Sequence, residues 1–369
     1  MEIIGGSRVR LLEKALKGKF LTIEEGVYLY KKMPLNELIY LADEIRKEKT
    51  QNTKIVGWII DRNINITNVC VAQCEFCNFY RKPGHPEAYI TTMYEYNEKI
   101  DELYKLGGNQ ILLQGGLHPK LDLKFYAGLF KMLKDMYPDI KLHALSPSEI
   151  HYIAYKENKT YEEVLNTLID AGLDSLPGAG AEILNDRVRK IISKGKCNTR
   201  QWLDVMQTAH NLNLPTSATM MFGHIETIEE RIQHLILIRD LQAKKPDKNY
   251  GFLSFIPWPF QDKYTELYKK REIRSNVDAS EYLKMIAISR IMLPNIKNIQ
   301  ASWLTVGIPV AQMCLHAGAN DMGSIMIEEN VVASAGKKIR INKEGIKKAI
   351  TEAGFIPKLR NQKFEYFDE

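Results

Sequence analysis

The fold of this chain is decided by the stretch IVGWIIDRNINITNVCVAQCEFCNFY, residues 55–80. It begins with a run of β-branched and apolar residues, 55–67, which favours an extended strand. The run leads directly into Cys70, Cys74 and Cys77, so three of the chain's five cysteines share the spacing C-x3-C-x2-C. The stretch therefore predicts a strand whose carboxyl end carries a cysteine-rich loop.

Outward from this stretch, strand and helix patterns alternate. Short strand patterns separated by helical segments favour a (β/α)8 barrel of TIM type, an α/β fold, over an open doubly wound sheet. The eight strand patterns lie at residues 55–67, 109–114, 140–145, 172–177, 216–222, 250–256, 299–304 and 323–327.

The barrel pattern is flanked by helical patterns on both sides. Thr22 followed by Glu25 is a capping-box signature in the first of these flanks. We predict an N-terminal helical extension at 1–52, the barrel at 53–336 and a C-terminal helical extension at 337–369 that packs on the outside of the barrel.

Unusual residues follow the predicted strand ends. The segments GGLHP, SPSE, GAGAE and GHIET come directly after the second to fifth strands. TIM-barrel active sites are built from the loops at this end of the barrel. We therefore predict an active site where these loops and the cysteine loop meet.

Composition and charge exclude several function classes. The formal net charge is +6, but the lysines are scattered, without the focused basic patch and stacking aromatics of a nucleic-acid-binding protein. No apolar run is long enough to span a bilayer, and the N-terminus does not resemble a secretion signal. We expect a cytoplasmic enzyme for a small molecule, with no membrane or nucleic-acid partner.

The three clustered cysteines can hold a metal centre in two ways. A structural zinc site would use Cys70, Cys74 and Cys77 with His85 as fourth ligand, and would make the protein a non-catalytic binding scaffold. An iron–sulfur cluster held by three cysteines instead keeps one open iron position, and Phe76 would shield it from water. We favour the cluster because the cysteines fall at the predicted barrel mouth.

The cysteine spacing, with an aromatic residue before the third cysteine, resembles the signature of the radical S-adenosylmethionine (SAM) superfamily. The resemblance implies a [4Fe-4S] cluster on Cys70, Cys74 and Cys77, with SAM on the fourth iron. It implies that one electron from a donor such as flavodoxin or ferredoxin leads to cleavage of SAM and to a deoxyadenosyl radical, which takes a hydrogen atom from the substrate.

Further segments extend the resemblance over roughly residues 55–336. ILLQGGLHP, HALSPSEI, SLPGAGAEIL and GANDMGSIMIEENVV are similar to the menaquinone futalosine-pathway subgroup. This resemblance implies cyclisation of dehypoxanthine futalosine, by hydrogen abstraction from the ribosyl ring and addition of the carbon radical to the aromatic ring. The alternative within the subgroup is aminofutalosine synthase, which adds the deoxyadenosyl carbon to an enolpyruvyl benzoate.

The resemblance also implies site residues, each of which has a structural alternative. The residues predicted to contact SAM are Tyr80, Gly115, Gly116, Ser146, Glu182, Arg187 and Met221. Gly115 and Gly116 also suit a tight turn, Ser146 also suits a helix N-cap, and Arg187 also suits a surface position.

Two further residues are predicted to be catalytic. His118 can contact the substrate or transfer a proton, since imidazole titrates near neutrality, and Glu226 follows the strand expected beside the adenine. The remaining cysteines have simple interpretations: Cys314 lies in an apolar helix, and Cys197 is expected to be a surface thiol.

Overall fold

A computed structural model gives the structure of residues 5–328, 330 and 340–367. The helices of these residues are α1 (Gly5–Leu16), α2 (Ile23–Lys32), α3 (Leu35–Lys49), α4 (Met93–Lys105), α5 (Leu123–Met136), α6 (Pro147–Glu157), α7 (Tyr161–Asp170), α8 (Asp186–Ile192), α9 (Thr199–Asn211), α10 (Ile228–Ala243), α11 (Glu266–Arg271), α12 (Ala279–Met292), α13 (Trp303–Val306), α14 (Ile308–His316) and α15 (Lys343–Glu352). The strands are β1 (Ile55–Ile59), β2 (Asp61–Asn65), β3 (Gln110–Gln114), β4 (Lys141–Ala144), β5 (Leu173–Ser175), β6 (Thr216–Phe222), β7 (Phe252–Pro259), β8 (Asn298–Ile299), β9 (Asp321–Ser324) and β10 (Ile356–Leu359).

The strands form a closed parallel barrel. Pairing runs from β2 through β3 and β4 to β5, and from β6 through β7 to β8. Single parallel bridges, Leu176 to Thr216 and Gln300 to Asp321, join these sheets to each other and to β9. Because β9 pairs with β1, and β1 continues into β2 across Ile60, the ring closes. The predicted (β/α)8 barrel is confirmed.

The helices begin where the sequence supplies caps. Helices α2, α4, α7, α9 and α10 each begin with a capping box, in which side chains and backbone N–H groups bond reciprocally. The box of α2 is the predicted pair of Thr22 and Glu25. Such a cap satisfies backbone N–H groups that otherwise lack partners in the first turn. The N-terminal helices then pack on the barrel's outer layer, α2 against α10 and α3 against α12.

The C-terminal segment differs from its prediction as a purely helical extension outside the barrel. After α15, strand β10 pairs in parallel with β1. Beyond β10, Gln362 contacts Gln110 and His143 at the start of the barrel strands, and Arg360 forms a buried ion pair with Asp321. The segment therefore closes the amino-terminal end of the barrel, opposite the cysteine loop.

The predicted limits of the three regions stay a prediction, and the limit at residue 336 lies outside the described residues. Within the described ranges, no helix combines the length and the apolar character that crossing a membrane requires.

Candidate active site

The three clustered cysteines lie together after β2, at the carboxyl-terminal end of the barrel. They pack with Ala72 and Leu117 in a small apolar cluster that is separate from the main core. Cys74 is buried, whereas Cys70 and Cys77 are partly exposed. Burial raises the pKa of the Cys74 and Cys77 thiols, so an electropositive centre is needed to hold them as thiolates.

Backbone N–H groups point at two of these sulfur atoms. The N–H of Leu117 donates to Cys70 Sγ at 3.3 Å. Hydrogen bonding from the backbone of Tyr80 and Phe79 works to lower the pKa of Cys77. Such hydrogen bonds stabilise thiolate sulfur and help set the potential of an iron–sulfur cluster.

The predicted glycine pair packs directly against the cysteine loop. A methyl group at Gly116 would lie 2.2 Å from the carbonyl oxygen of Val69 and 2.6 Å from Cβ of Cys70. At Gly115 the nearest atoms would be the backbone N and O of Thr67, each at 3.2 Å. The pair thus has a steric role at the loop. Contact with SAM by the same residues stays a prediction.

Glu149 lies beside the glycine pair in the first turn of α6. Its carboxylate accepts the N–H of Gly115 at 3.1 Å and the hydroxyl of Ser146, the N-cap of α6, at 2.7 Å. Burial raises the pKa of Glu149 to about 7, although both hydrogen bonds lower it. Ser146 therefore has the structural role given as its alternative, and its contact with SAM stays a prediction.

Glu182 is held in an unusual conformation after β5. It is 4% exposed and has a φ of 41°, a left-handed value that is uncommon for a residue other than glycine and often marks a functional site. Its carboxylate accepts from Lys196 Nζ at 2.9 Å and lies 3.5 Å from Arg189 Nη1. Two cations therefore hold the Glu182 carboxylate in place. Its contact with SAM stays a prediction.

Lys196 is a residue of the site that the sequence analysis missed. Its ammonium lies 5.4 Å from the ring centroid of Phe76, the aromatic residue between the second and third cysteines. Burial works to lower the pKa of Lys196, but the carboxylate of Glu182 and a thiolate at Cys74 raise it above its ordinary value. The ammonium is therefore a fixed positive charge beside the cysteine loop.

Glu226, predicted as catalytic, is fully enclosed. Its side chain is 0% exposed, and its oxygens accept from the backbone of Gly223 and His224 and from Arg231 Nε at 2.8 Å. Burial works to raise the pKa of Glu226, but His224 and Arg231 hold it at about 2. This geometry favours a structural role, and catalysis by Glu226 stays a prediction.

Two further predicted residues, His118 and Arg187, differ in their exposure and partners. His118 is half-buried and its Nδ1 accepts from Lys120 N at 3.1 Å; burial, with Lys156 and Lys120, lowers the pKa of His118. Arg187 is half-exposed and pairs with Glu230 through two nitrogen atoms, at 2.7 and 2.6 Å, which matches its surface alternative.

Two predicted SAM contacts flank the site. Tyr80 is partly buried beside Cys77, and Met221 is buried in β6, where its N–H donates to the carbonyl of Glu182 at 3.0 Å. The Met221 bond ties the Glu182 segment to the barrel wall. Whether either residue contacts SAM stays a prediction.

Polar residues around the start of β9 and after it have partners within the protein. Asn320 bonds to Asn298 and Arg290, Asp321 pairs with Arg360, and Glu328 pairs with Arg62 and Lys99; Glu329 lies outside the described residues.

The two lone cysteines are both buried. Cys314 is 0% exposed in α14, as its apolar sequence suggested. The prediction of a surface thiol at Cys197 is wrong, because Cys197 is 3% exposed and its Sγ lies 3.3 Å from Ser148 Oγ.

Several strand residues of the barrel carry partly exposed side chains. Along β3, β6 and β7, positions that alternate with helix-facing residues are partly exposed although the surrounding strand is buried. The partly exposed residues include Leu112, Gln114, Thr219, Ile256 and Trp258, together with Gln300, which follows β8. These side chains combine amide and hydroxyl groups with an indole and aliphatic surface, a combination that suits a small molecule with polar and aromatic parts.

A separate pocket of about 570 Å³ opens beside the end of β7. Phe260, Lys263, Val277 and Val306 are among its lining residues. The carbonyl of Lys263 accepts from the side chain of Asn78 at 2.9 Å, so the pocket borders the cysteine loop.

The donor set fits an iron–sulfur cluster better than the zinc alternative. Among the described residues, no three His, Cys, Asp or Glu side chains are arranged to hold a single metal ion. The predicted fourth zinc ligand, His85, is exposed, and its Nδ1 accepts from Glu87 N. In a [4Fe-4S] cluster each cysteine binds its own iron, so three thiols surrounding a shared space suffice.

Comparisons with known proteins agree with this site. The profile of the Radical SAM superfamily matches residues 64–238, and that of the CofH/MqnC C-terminal region matches residues 249–369. The chain is 40% identical over 355 residues to the cyclic dehypoxanthine futalosine synthase of Halalkalibacterium halodurans, covering 96% of this chain and 94% of that protein. It is also 40% identical over 335 residues to the 5-amino-6-(D-ribitylamino)uracil–L-tyrosine 4-hydroxyphenyl transferase of Archaeoglobus fulgidus, covering 90% and 94%.

The crystal structure of methylornithine synthase (PylB) shares the fold. It matches with a TM-score of 0.71 at 21% identity, covering 95% of this chain and 98% of that one.

The fold, the three-cysteine loop and these matches show that the chain belongs to the radical SAM superfamily of enzymes. Within the superfamily it carries the CofH/MqnC C-terminal region. Its cofactors are therefore a [4Fe-4S] cluster, for which Cys70, Cys74 and Cys77 form the ligand motif, and SAM.

Proposed function

We propose that this enzyme converts dehypoxanthine futalosine to cyclic dehypoxanthine futalosine in menaquinone biosynthesis. The observation that carries the proposal is the alignment with the H. halodurans synthase, which spans almost the whole of both chains at 40% identity. The alignment with the A. fulgidus transferase has equal identity but covers less of this chain.

The chemistry of the partly exposed strand residues supports a substrate of this kind. Gln114, Gln300 and Thr219 offer amide and hydroxyl groups that can bond ribosyl hydroxyls, and Trp258 offers an aromatic face for the substrate's ring. Positioning by these residues brings a ribosyl carbon and the aromatic ring within reach of each other. A site that keeps water and competing C–H groups away from a reactive carbon centre protects it from side reactions.

When bound, the cluster and SAM supply a one-electron cleavage that yields a hydrogen-abstracting radical. In the proposed reaction the substrate loses one hydrogen atom from the ribosyl ring and forms one carbon–carbon bond to the aromatic ring. It then loses a proton to a base and an electron, which would return to the oxidised cluster, so the product is two hydrogens lighter and SAM is the net oxidant. Flavodoxin or ferredoxin is the proposed donor of the initial electron, and His118 is proposed to contact the substrate or to transfer a proton.

The transfer of a 4-hydroxyphenyl group is the second candidate, because the A. fulgidus relative is equally identical. Anaerobic assays with reductant and SAM should therefore offer three substrates in parallel: dehypoxanthine futalosine, 5-amino-6-(D-ribitylamino)uracil with L-tyrosine, and an enolpyruvyl benzoate. Only the first should be consumed. Transfer of a 4-hydroxyphenyl group to the uracil would establish the second candidate, and incorporation of adenosyl carbon into the benzoate would establish aminofutalosine synthase activity.

A further inference from the structure

Lys196 is fixed against the cysteine loop by the segment that carries it. The carbonyl of Ile192 accepts from the N–H of Glu75 at 2.9 Å, within the loop. A methyl group at Gly195 would lie 2.5 Å from Cα of Ala72, so only glycine allows this approach. The residue after Gly195 therefore has a defined position relative to Cys74 and Cys77.

The side chain of Lys196 is also held at its far end. Its Nζ is 2.9 Å from Glu182 Oε1 and faces the ring of Phe76. Glu182 is 4% exposed, and Arg189, at 3.5 Å, is 3% exposed. The partly buried Lys196 and the buried Arg189 thus face one buried carboxylate, which leaves a net positive charge next to the cysteines.

We propose that Lys196, oriented by Glu182, is a positioning residue whose charge stabilises the reduced form of the iron–sulfur cluster. Reduction adds one electron from a low-potential donor to a centre whose thiolate ligands are already negative. A cation that is largely shielded from water, as Lys196 is, lowers the free energy of that added charge more than a fully solvated one does, because the local dielectric is lower. Cluster potentials respond to net charge and solvent exposure in this way. The inference depends on the family's cofactor and is independent of the substrate.

The test is the midpoint potential of the cluster, measured by an EPR-monitored dithionite titration of anaerobically reconstituted full-length protein without SAM. Lys196→Gln should lower the reduced-to-oxidised ratio about tenfold at a given potential, a shift of about 59 mV to more negative values. Glu182→Gln should shift the potential in the opposite direction, because it leaves both cations unneutralised. Lys196→Arg should stay near the wild-type value. The matched control is Lys194→Gln, an exposed lysine in the same segment, which should have no effect.

A merely structural ion pair gives a different pattern. It predicts that Lys196→Gln and Glu182→Gln lower iron content together and shift the potential in the same direction or not at all. That pattern would overturn the proposal, as would a Lys196→Gln shift seen only after SAM is added. If Lys196→Gln does not retain its cluster, the sign of the Glu182→Gln shift decides, with a negative or absent shift contradicting the proposal.

Discussion

A methyl group on Gly116 would lie 2.6 Å from Cβ of Cys70, closer than real side chains approach. Gly116→Ala should therefore displace the cysteine loop, destabilise the protein by about 1–3 kcal/mol and lose most of the cluster iron. Iron content and thermal unfolding of reconstituted protein measure both effects. Gly128 in α5 has no atom within 4 Å of such a methyl group, so Gly128→Ala should keep its iron and gain about 0.5–1 kcal/mol. Full iron in Gly116→Ala would contradict the close packing.

The five cysteines should separate into two groups. Replacing Cys70, Cys74 or Cys77 by Ala should abolish cluster binding and SAM cleavage, since each removes a ligand. Cys197→Ala and Cys314→Ala should keep wild-type iron, because both side chains are packed elsewhere in the core. Deoxyadenosine formation and iron content are measured together. A Cys197→Ala variant that lost its cluster as fully as Cys74→Ala would show that the ligand assignment is wrong.

Glu149 should make stability depend on pH near neutrality. Its pKa is about 7 in the folded protein and near 4.5 when unfolded, so folding favours the protonated form. This contribution, about 3 kcal/mol, is complete below pH 4.5 and is lost as pH rises through 7. Glu149→Gln, which stays neutral, should therefore gain stability relative to wild type between pH 5 and pH 8. Urea unfolding at several pH values measures the difference, and a constant difference would refute the raised pKa.

Glu226 should give stability the opposite dependence on pH. Its pKa of about 2 means that its contribution is fully present above pH 4.5 and is lost as pH falls through 2. Glu226→Gln should destabilise the protein by about 3 kcal/mol at pH 7, and SAM cleavage should fall only as far as the folded fraction does. A variant with unchanged stability and no cleavage would instead support the predicted catalytic role.

The sequence allowed the fold to be predicted because its signals are local. Strand residues, capping boxes and the cysteine spacing each lie within a few positions of one another. The predicted strand 55–67 divides at Ile60, because its first half pairs with β9 and β10 and its second half pairs with β3. These pairings involve residues distant in sequence, so no local pattern could predict the division.

The site residues that prediction missed depend on distant contacts. Lys196 reaches the cysteine loop across more than a hundred residues of sequence, and the signal available was the glycine that precedes it, Gly195. Strand β10 was missed because the run IPKL has only four residues, contains a proline and closely follows helix α15. Cys197 resembled a surface thiol among polar neighbours, but Arg189 and Ser148 enclose it in the folded protein.

The most direct test of the proposed reaction follows the hydrogen atoms. Dehypoxanthine futalosine deuterated throughout its ribosyl ring should be incubated anaerobically with reductant, SAM and the reconstituted enzyme, and both products analysed by mass spectrometry. The account predicts cyclic dehypoxanthine futalosine that has lost one deuterium and one aromatic hydrogen, with about one equivalent of deoxyadenosine that carries one deuterium. Deoxyadenosine without deuterium, or an unchanged futalosine substrate while the uracil and tyrosine pair is consumed, would contradict it.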